Sequence, residues 1–146
     1  MENVDLTPSS PRSPSFWAGK RVLITGHTGF KGSWLALWLQ SLGAAVVGLS
    51  LDPPSTPSLF RQARVAEGLT SLHGDIRDPD VVRDVMATYE PEVVFHLAAQ
   101  SLVRASYRSP VETYATNVMG TVHVLEAMRQ VGSARGGVVV TSDKCY

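Results

Sequence analysis

Thr25-Gly26-His27-Thr28-Gly29-Phe30-Lys31-Gly32 lies between the apolar run Arg21-Val-Leu-Ile-Thr25 and the segment SWLALWLQSLG (33–43), and together they read as strand, glycine turn and helix. The glycines at 26, 29 and 32 stand three apart. Such spacing lets the chain turn sharply and brings backbone close to a pyrophosphate, while the helix N-terminus offers free N–H groups and a positive dipole end. A glycine turn alone is equally a tight strand-to-helix connection. Context favours dinucleotide binding: Asp52 stands at the end of the second apolar run, twenty residues beyond Gly32, where a carboxylate meets ribose hydroxyls. A P-loop is excluded, because Lys31 rather than glycine stands five residues after Gly26. Asp52 also argues for NAD over NADP, since a 2′-phosphate would face a carboxylate, and Arg61 is badly placed to compensate. His27 and Lys31 either neutralise phosphate charge from inside the loop or are solvated surface.

Working outward, apolar strands alternate with helices. The helix of 30–42 is followed by a strand over Ala44–Leu51, a Pro-rich turn at 52–57, a short helix over 58–66 and a strand over Thr70–Gly74. Asp78 is the expected N-cap and Pro79 the first residue of a helix reaching Tyr89. A fourth strand over Glu92–Ala99, a long helix over 110–131 and a fifth strand over Val138–Thr141 complete the series. Continuously apolar strands indicate a sheet buried on both faces, and their alternation with helices implies right-handed crossovers. The expected fold is α/β, a doubly wound parallel sheet of the NAD-binding Rossmann type, truncated after its fifth strand. Residues 32–51 carry no charge, but Gly43 divides them into a helix and a strand rather than one membrane span.

The chain has 146 residues with 13 Lys+Arg and 13 Asp+Glu, 44% apolar and 18% charged. That is globular composition, and the zero net charge gives no reason to expect nucleic acid or an anionic membrane as partner. Cys145 stands alone, so neither a disulfide framework nor a metal cluster is expected. With no secretory signature, a cytoplasmic location is expected. Residues 1–17, rich in Pro and Ser, read as a disordered tail, and 18–146 as an incomplete dinucleotide-binding domain.

The three-residue glycine spacing resembles the extended short-chain dehydrogenase/reductase family. Gly74-Asp75-Ile76-Arg77-Asp78, His96-Leu-Ala-Ala99 and Asn117-Val-Met-Gly-Thr121 match it in order. TGHTGFKGSWL (25–35), SLDPPSTPSLF (50–60), HLAAQSLVR (96–104), ETYATNVMGTVHVLEA (112–127) and VTSDKCY (140–146) resemble more narrowly its CDP-glucose 4,6-dehydratase subfamily. The resemblance implies that Gly26, Thr28, Gly29, Phe30, Lys31 and Gly32 wrap the NAD pyrophosphate and that Asp52 takes the adenosine ribose. It puts Asp75 and Ile76 beside the adenine, and Leu97, Ala98 and Ala99 along the middle of the cofactor. Taken alone, Asp75 is equally a turn carboxylate and the alanines strand-end packing.

The resemblance further implies oxidation at C4 of a CDP-glucose hexose, loss of the C5 proton, departure of water from C6 and return of the hydride to C6. Ser142 would hydrogen-bond the C4 hydroxyl and Asp143 protonate the departing C6 hydroxyl. Lys144 stands where relatives carry a glutamate acting at C5; it is either a base, which requires a depressed pKa, or an electrostatic stabiliser. Asp143 and Lys144 also read as a solvated ion pair at a strand end. Leu102 follows Ser101 where many relatives have histidine. No tyrosine here has a lysine four positions on, so the family's Tyr-x-x-x-Lys pair is expected further along a longer enzyme. This portion alone is expected to be inactive, and the complete enzyme a homo-oligomer. Rival readings are another nucleotide-sugar epimerase or reductase, and a non-catalytic dinucleotide-binding fragment.

Overall fold

The computed structural model describes residues 16–141. Its centre is a parallel sheet of β1 (Arg21–Thr25), β2 (Ala45–Ser50), β3 (Thr70–His73), β4 (Val93–His96) and β5 (Gly136–Val139), in the order β3-β2-β1-β4-β5. β1 pairs with β2 on one side and β4 on the other, Thr25 lying opposite both Leu49 and His96. Winding outward in both directions from β1 gives the doubly wound arrangement expected, with its topological switch between β1 and β4.

Both faces are covered at the centre of the sheet, while the edge strands β3 and β5 are largely exposed. Successive side chains of β1 point to opposite faces. Val22 and Ile24 join Val46 under α1 (Phe30–Ser41), with Ala36 and Leu39 above them. Leu23 joins Val47, Leu49 and Val94 under α3 (Pro79–Tyr89) and α6 (Gly120–Val131), which contribute Val82, Met86 and Val124. Trp17, read from sequence as part of the tail, lies against Phe95 with ring centroids 6.1 Å apart and packs onto the α1-side cluster, so the folded unit takes in this residue. Phe16 of the same tail stands edge-on to Trp17, 5.1 Å between centroids, and residues 1–15 lie outside the described residues.

The punctuation of the chain is largely as expected. Asp78 caps α3, its Oδ1 accepting from the N–H groups of Asp80 (3.0 Å) and Val81 (3.4 Å), with Pro79 at the first turn. Gly43, at φ +83°, stops α1 before β2, and among the described residues no helix is long and apolar enough to cross a membrane.

Several elements differ from these expectations, β4 (Val93–His96) being shorter than expected among them. The short helix of 58–66 is α2 (Leu59–Gln62) followed by a 3-10 turn (Val65–Gly68), separated at Arg64, whose φ is +49°. α4 (Val103–Arg108) is an addition; it buries no residue, so it leaves no apolar periodicity in the sequence. The long helix is α5 (Pro110–Tyr114), a π-helical turn (Ala115–Met119) and α6. β5 starts at Gly136 rather than Val138, because Met128 of α6 occupies the space above Gly137: a Cβ there would stand 2.7 Å from its Cε.

One polar ring sits in the apolar layer on the α1 side. His27 is fully buried, edge-on to Phe60 (5.3 Å between centroids), and its Nε2 is 2.8 Å from Ser71 Oγ. Its space exists because Gly48 has no side chain; a Cβ at 48 would overlap the imidazole. Nδ1 has no hydrogen-bond partner, and burial pushes the pKa down to about 4, the Leu49 carbonyl offsetting part of the shift. The unfolded chain therefore binds more protons than the fold between about pH 6.5 and 4, and stability falls with pH through that window by up to ~3 kcal/mol. Urea midpoints at pH 7 and 4.5 should fall further for the parent chain than for His27→Gln; equal falls would refute the assignment.

Candidate functional site

At the C-terminal edge of the sheet, where the loops after β1 and β4 part, lies a cleft of about 300 Å³. Open α/β sheets bind ligands at this switch point. The loop after β1 forms its floor. Gly26 is at φ +78°, and a Cβ on it would stand 2.7 Å from Ala98 N and 2.8 Å from Ala98 Cα, so only glycine lets the two backbones pass. Gly29 caps α1 in an extended conformation with no side-chain hydrogen bond and no acid in the first turn. The helix therefore opens with uncapped N–H groups, which suits an anion.

The other residues of the loop divide by role. Gly32 is buried behind the turn; a Cβ there would overlap the Gly26 carbonyl, so it sets the packing of α1 against the loop and does not line the cleft. Thr28 ties the loop to the end of β2, its hydroxyl donating to Leu51 O (2.9 Å) and lying 2.7 Å from Ser50 Oγ. Ser33 Oγ donates to His27 O at 2.9 Å from the first turn of α1. Phe30 and Lys31 are exposed and outside the cleft wall. His27 belongs to the core, not to solvent or to the phosphate position. Burial inside the β2–β3 face, made possible by Gly48, overrides both roles read from sequence.

Asp52 lines the cleft just beyond β2, its side chain 85% exposed and ready to accept hydrogen bonds. His73 Nε2 lies 4.0 Å from its Oδ2, a neighbour nothing in the sequence signalled. Arg61, in α2, does not line the cleft. Next to Asp52 the loop after β3 contributes Asp75 and Ile76. The Arg77 guanidinium, hydrogen-bonded to Asp75 at 2.6 and 2.8 Å, holds that carboxyl below the usual carboxylate range. Ile76 is held from behind: His123 Nδ1 donates to its carbonyl at 3.0 Å, and Gly120 leaves room for its side chain.

Leu97, Ala98 and Ala99 form the opposite wall, because the chain leaves β4 at His96 instead of continuing as strand to Ala99. A buried polar ladder sets their position. The Thr121 hydroxyl donates to Asn117 O (2.7 Å), so His96 Nε2–H donates to Thr121 Oγ1 at 3.0 Å. That leaves His96 Nδ1 to accept from Thr25 Oγ1 at 2.6 Å, and Thr25 Oγ1 to accept from Ala98 N–H at 3.3 Å. Burial lowers the pKa of His96, in keeping with a neutral ring. Asn117, in the π-helical turn, holds the following residue from both sides: its Oδ1 accepts from Gln100 N (2.8 Å) and its Nδ2 donates to Gln100 O (2.9 Å). Asn117 and Thr121 were visible as a motif, and their four-residue spacing on one helix face was the unused signal for this role.

Nine of the twelve expected cofactor residues thus border one cleft: Gly26, Thr28, Gly29, Asp52, Asp75, Ile76, Leu97, Ala98 and Ala99. Arg77, Gln100 and Glu112 border it too and were not anticipated. Ser142, Asp143 and Lys144 lie outside the described residues. Among the described residues no group of His, Cys, Asp and Glu is arranged to hold a metal.

Comparison with known proteins gives this geometry a family. The chain is 58% identical over 132 residues to a CDP-glucose 4,6-dehydratase of Salmonella typhimurium, covering 90% of this chain and 37% of that protein. The epimerase Mth375 of Methanothermobacter thermautotrophicus superposes with a TM-score of 0.75 at 32% identity, over 87% of this chain and 36% of the other. A UDP-glucose 4-epimerase of Brucella ovis in complex with NAD does so with a TM-score of 0.71 at 28% identity, over 83% and 35%. The chain therefore spans little more than a third of these relatives' lengths. The family model described as GDP-mannose 4,6 dehydratase matches residues 23–146, from the middle of β1 past the end of β5, and the chain belongs to that family.

Proposed function

We propose that this chain is the NAD-binding portion of a cytoplasmic nucleotide-sugar 4,6-dehydratase, a lyase acting on CDP-glucose. One observation carries the cofactor: the cradle where Gly26 passes Ala98 brings an uncapped helix, two carboxylates and a small-residue wall to one cleft. The choice of CDP-glucose among nucleotide sugars is supported by the 58% identity to a CDP-glucose 4,6-dehydratase.

The residues fit the cofactor end to end. Gly26, Thr28 and Gly29, with the N-terminus of α1, would hold the pyrophosphate, and Asp52 the adenosine ribose. Asp75 and Ile76 would border the adenine, and Leu97, Ala98 and Ala99 would let the middle of the cofactor lie close to the backbone. NAD, when bound, supplies a hydride acceptor for C4 and returns that hydride to C6, so it is not consumed. Ser142 would hydrogen-bond the C4 hydroxyl, Asp143 would give a proton to the hydroxyl leaving C6, and Lys144 would serve the C5 proton or steady the charge its loss creates. Supporting this assignment, these three residues come after Val140 and Thr141, just beyond the end of a strand whose Val139 pairs with His96, the residue before the Leu97–Ala99 wall.

The exposed face of the α5–α6 helix supports self-association of the complete enzyme. Val111, Tyr114, Val118, Val122 and Leu125 recur every three or four residues and are 47–82% exposed. The complete enzyme is expected to sediment as a dimer and Val118→Glu/Leu125→Glu as a monomer; a monomeric parent would overturn this pairing.

Two further outcomes test the reading. Calorimetric titration of the parent chain with NAD should saturate, Gly26→Ala should abolish binding, and Asp52→Ala should weaken it by about tenfold while narrowing the preference over NADP. Unaltered binding by either variant would refute the cleft as the cofactor site. The complete enzyme should form the 4-keto-6-deoxy product from CDP-glucose without a matching rise in NADH; NADH equimolar with product would refute redox-neutral dehydration.

A further inference from the structure

Asp75 is not a free carboxylate. Its Oδ2 accepts from Arg77 Nε (2.8 Å) and Nη2 (2.6 Å), and its Oδ1 accepts from the Arg77 backbone N–H (2.9 Å). A carboxylate offers about four acceptor sites, two on each oxygen. Three are taken, and the remaining one is on Oδ1. The other edge of the same guanidinium is anchored: Nη1 lies 3.4 Å from Glu112 Oε1, which ties the loop after β3 to α5 at the cleft wall. Asp75, Arg77 and Glu112 all border the cleft. The backbone of this loop is secured separately, by His123 on the Ile76 carbonyl and by Ile76 seated against Gly120. Arg77 therefore sets the orientation of one carboxylate, while the Ile76 contacts hold the loop backbone independently of its guanidinium.

We infer that Arg77 is a positioning residue that fixes the base specificity of the cleft: it occupies Oδ2 and leaves Asp75 one oriented acceptor, Oδ1, for the exocyclic amino group of an adenine base. This rests on the cleft being the dinucleotide site. A base with an amino group donates to that acceptor. Hypoxanthine, with a carbonyl in its place, sets two acceptors against each other and is rejected.

The test is calorimetric titration of NAD and of nicotinamide hypoxanthine dinucleotide into the parent chain, Arg77→Met and Arg77→Lys. The parent should bind NAD about tenfold or more tightly than the hypoxanthine analogue, the worth of one hydrogen bond to a charged group. In Arg77→Met, which keeps the apolar stem but frees Oδ2, the ratio should collapse toward unity. A merely structural arginine would weaken both ligands alike, so an unchanged ratio in a variant that still binds NAD overturns the proposal. Should Arg77→Met not fold, Arg77→Lys decides: its single ammonium cannot reproduce the two-point grip on Oδ2, so its ratio must fall also. Equal affinities in the parent overturn this proposal alone, whereas no binding of either dinucleotide overturns the cofactor reading and this proposal with it.

Discussion

Where β1 and β4 leave the sheet, two backbones cross within van der Waals contact, and the cleft depends on that crossing. Gly26 turns through a left-handed conformation against Ala98 with no room for a single carbon between them. The same turn sends the chain into α1 with nothing but Gly29 at its cap. One steric constraint thus joins the two halves of the sheet, sets the mouth of the crevice and aims a helix end at it. Gly32 carries the constraint one turn further, since the helix can sit down on the loop only where its first turn lacks a Cβ.

Holding such a crossing in place is the work of polar groups that touch no ligand. Thr25, His96 and Thr121 form a ladder from β1 through β4 to α6 in which each hydrogen has one consistent direction. Buried ladders of this kind rigidify when every member is satisfied and penalise any alternative packing. The wall of Leu97, Ala98 and Ala99 hangs from this ladder at one end and from the grip of Asn117 on Gln100 at the other. The short side chains of the wall are open to the cleft because larger groups behind them fix its position.

The parts legible in the sequence were those decided by neighbours along the chain. β1, the glycine turn, the stop at Gly43 and the cap at Asp78 were read with little error, because each depends on residues within a turn of itself. What eluded reading depends on partners brought together only by folding. His27 is core because Gly48, on another strand, leaves a hole for it. β5 takes in Gly137 because Met128 fills the volume that glycine leaves. Asp75 was legible as a carboxylate near the cleft, but not its engagement by Arg77 or the tether to Glu112. α4 buries nothing and so wrote no pattern.

The π-helical turn at Ala115–Met119 makes the longest helix sensitive to counting as well as to composition. A π-turn holds one residue more than an α-turn, and one residue corresponds to about 100° of rotation around a helix. That surplus puts Asn117 opposite the loop after β4 while Gly120, Thr121 and His123 meet β4 and the loop after β3. Removing one residue here would restore a regular helix and swing α5, with Glu112, off its bearing. Substitutions along this helix are local events, whereas a single-residue insertion or deletion would be a rotation, felt at both ends of the cleft at once.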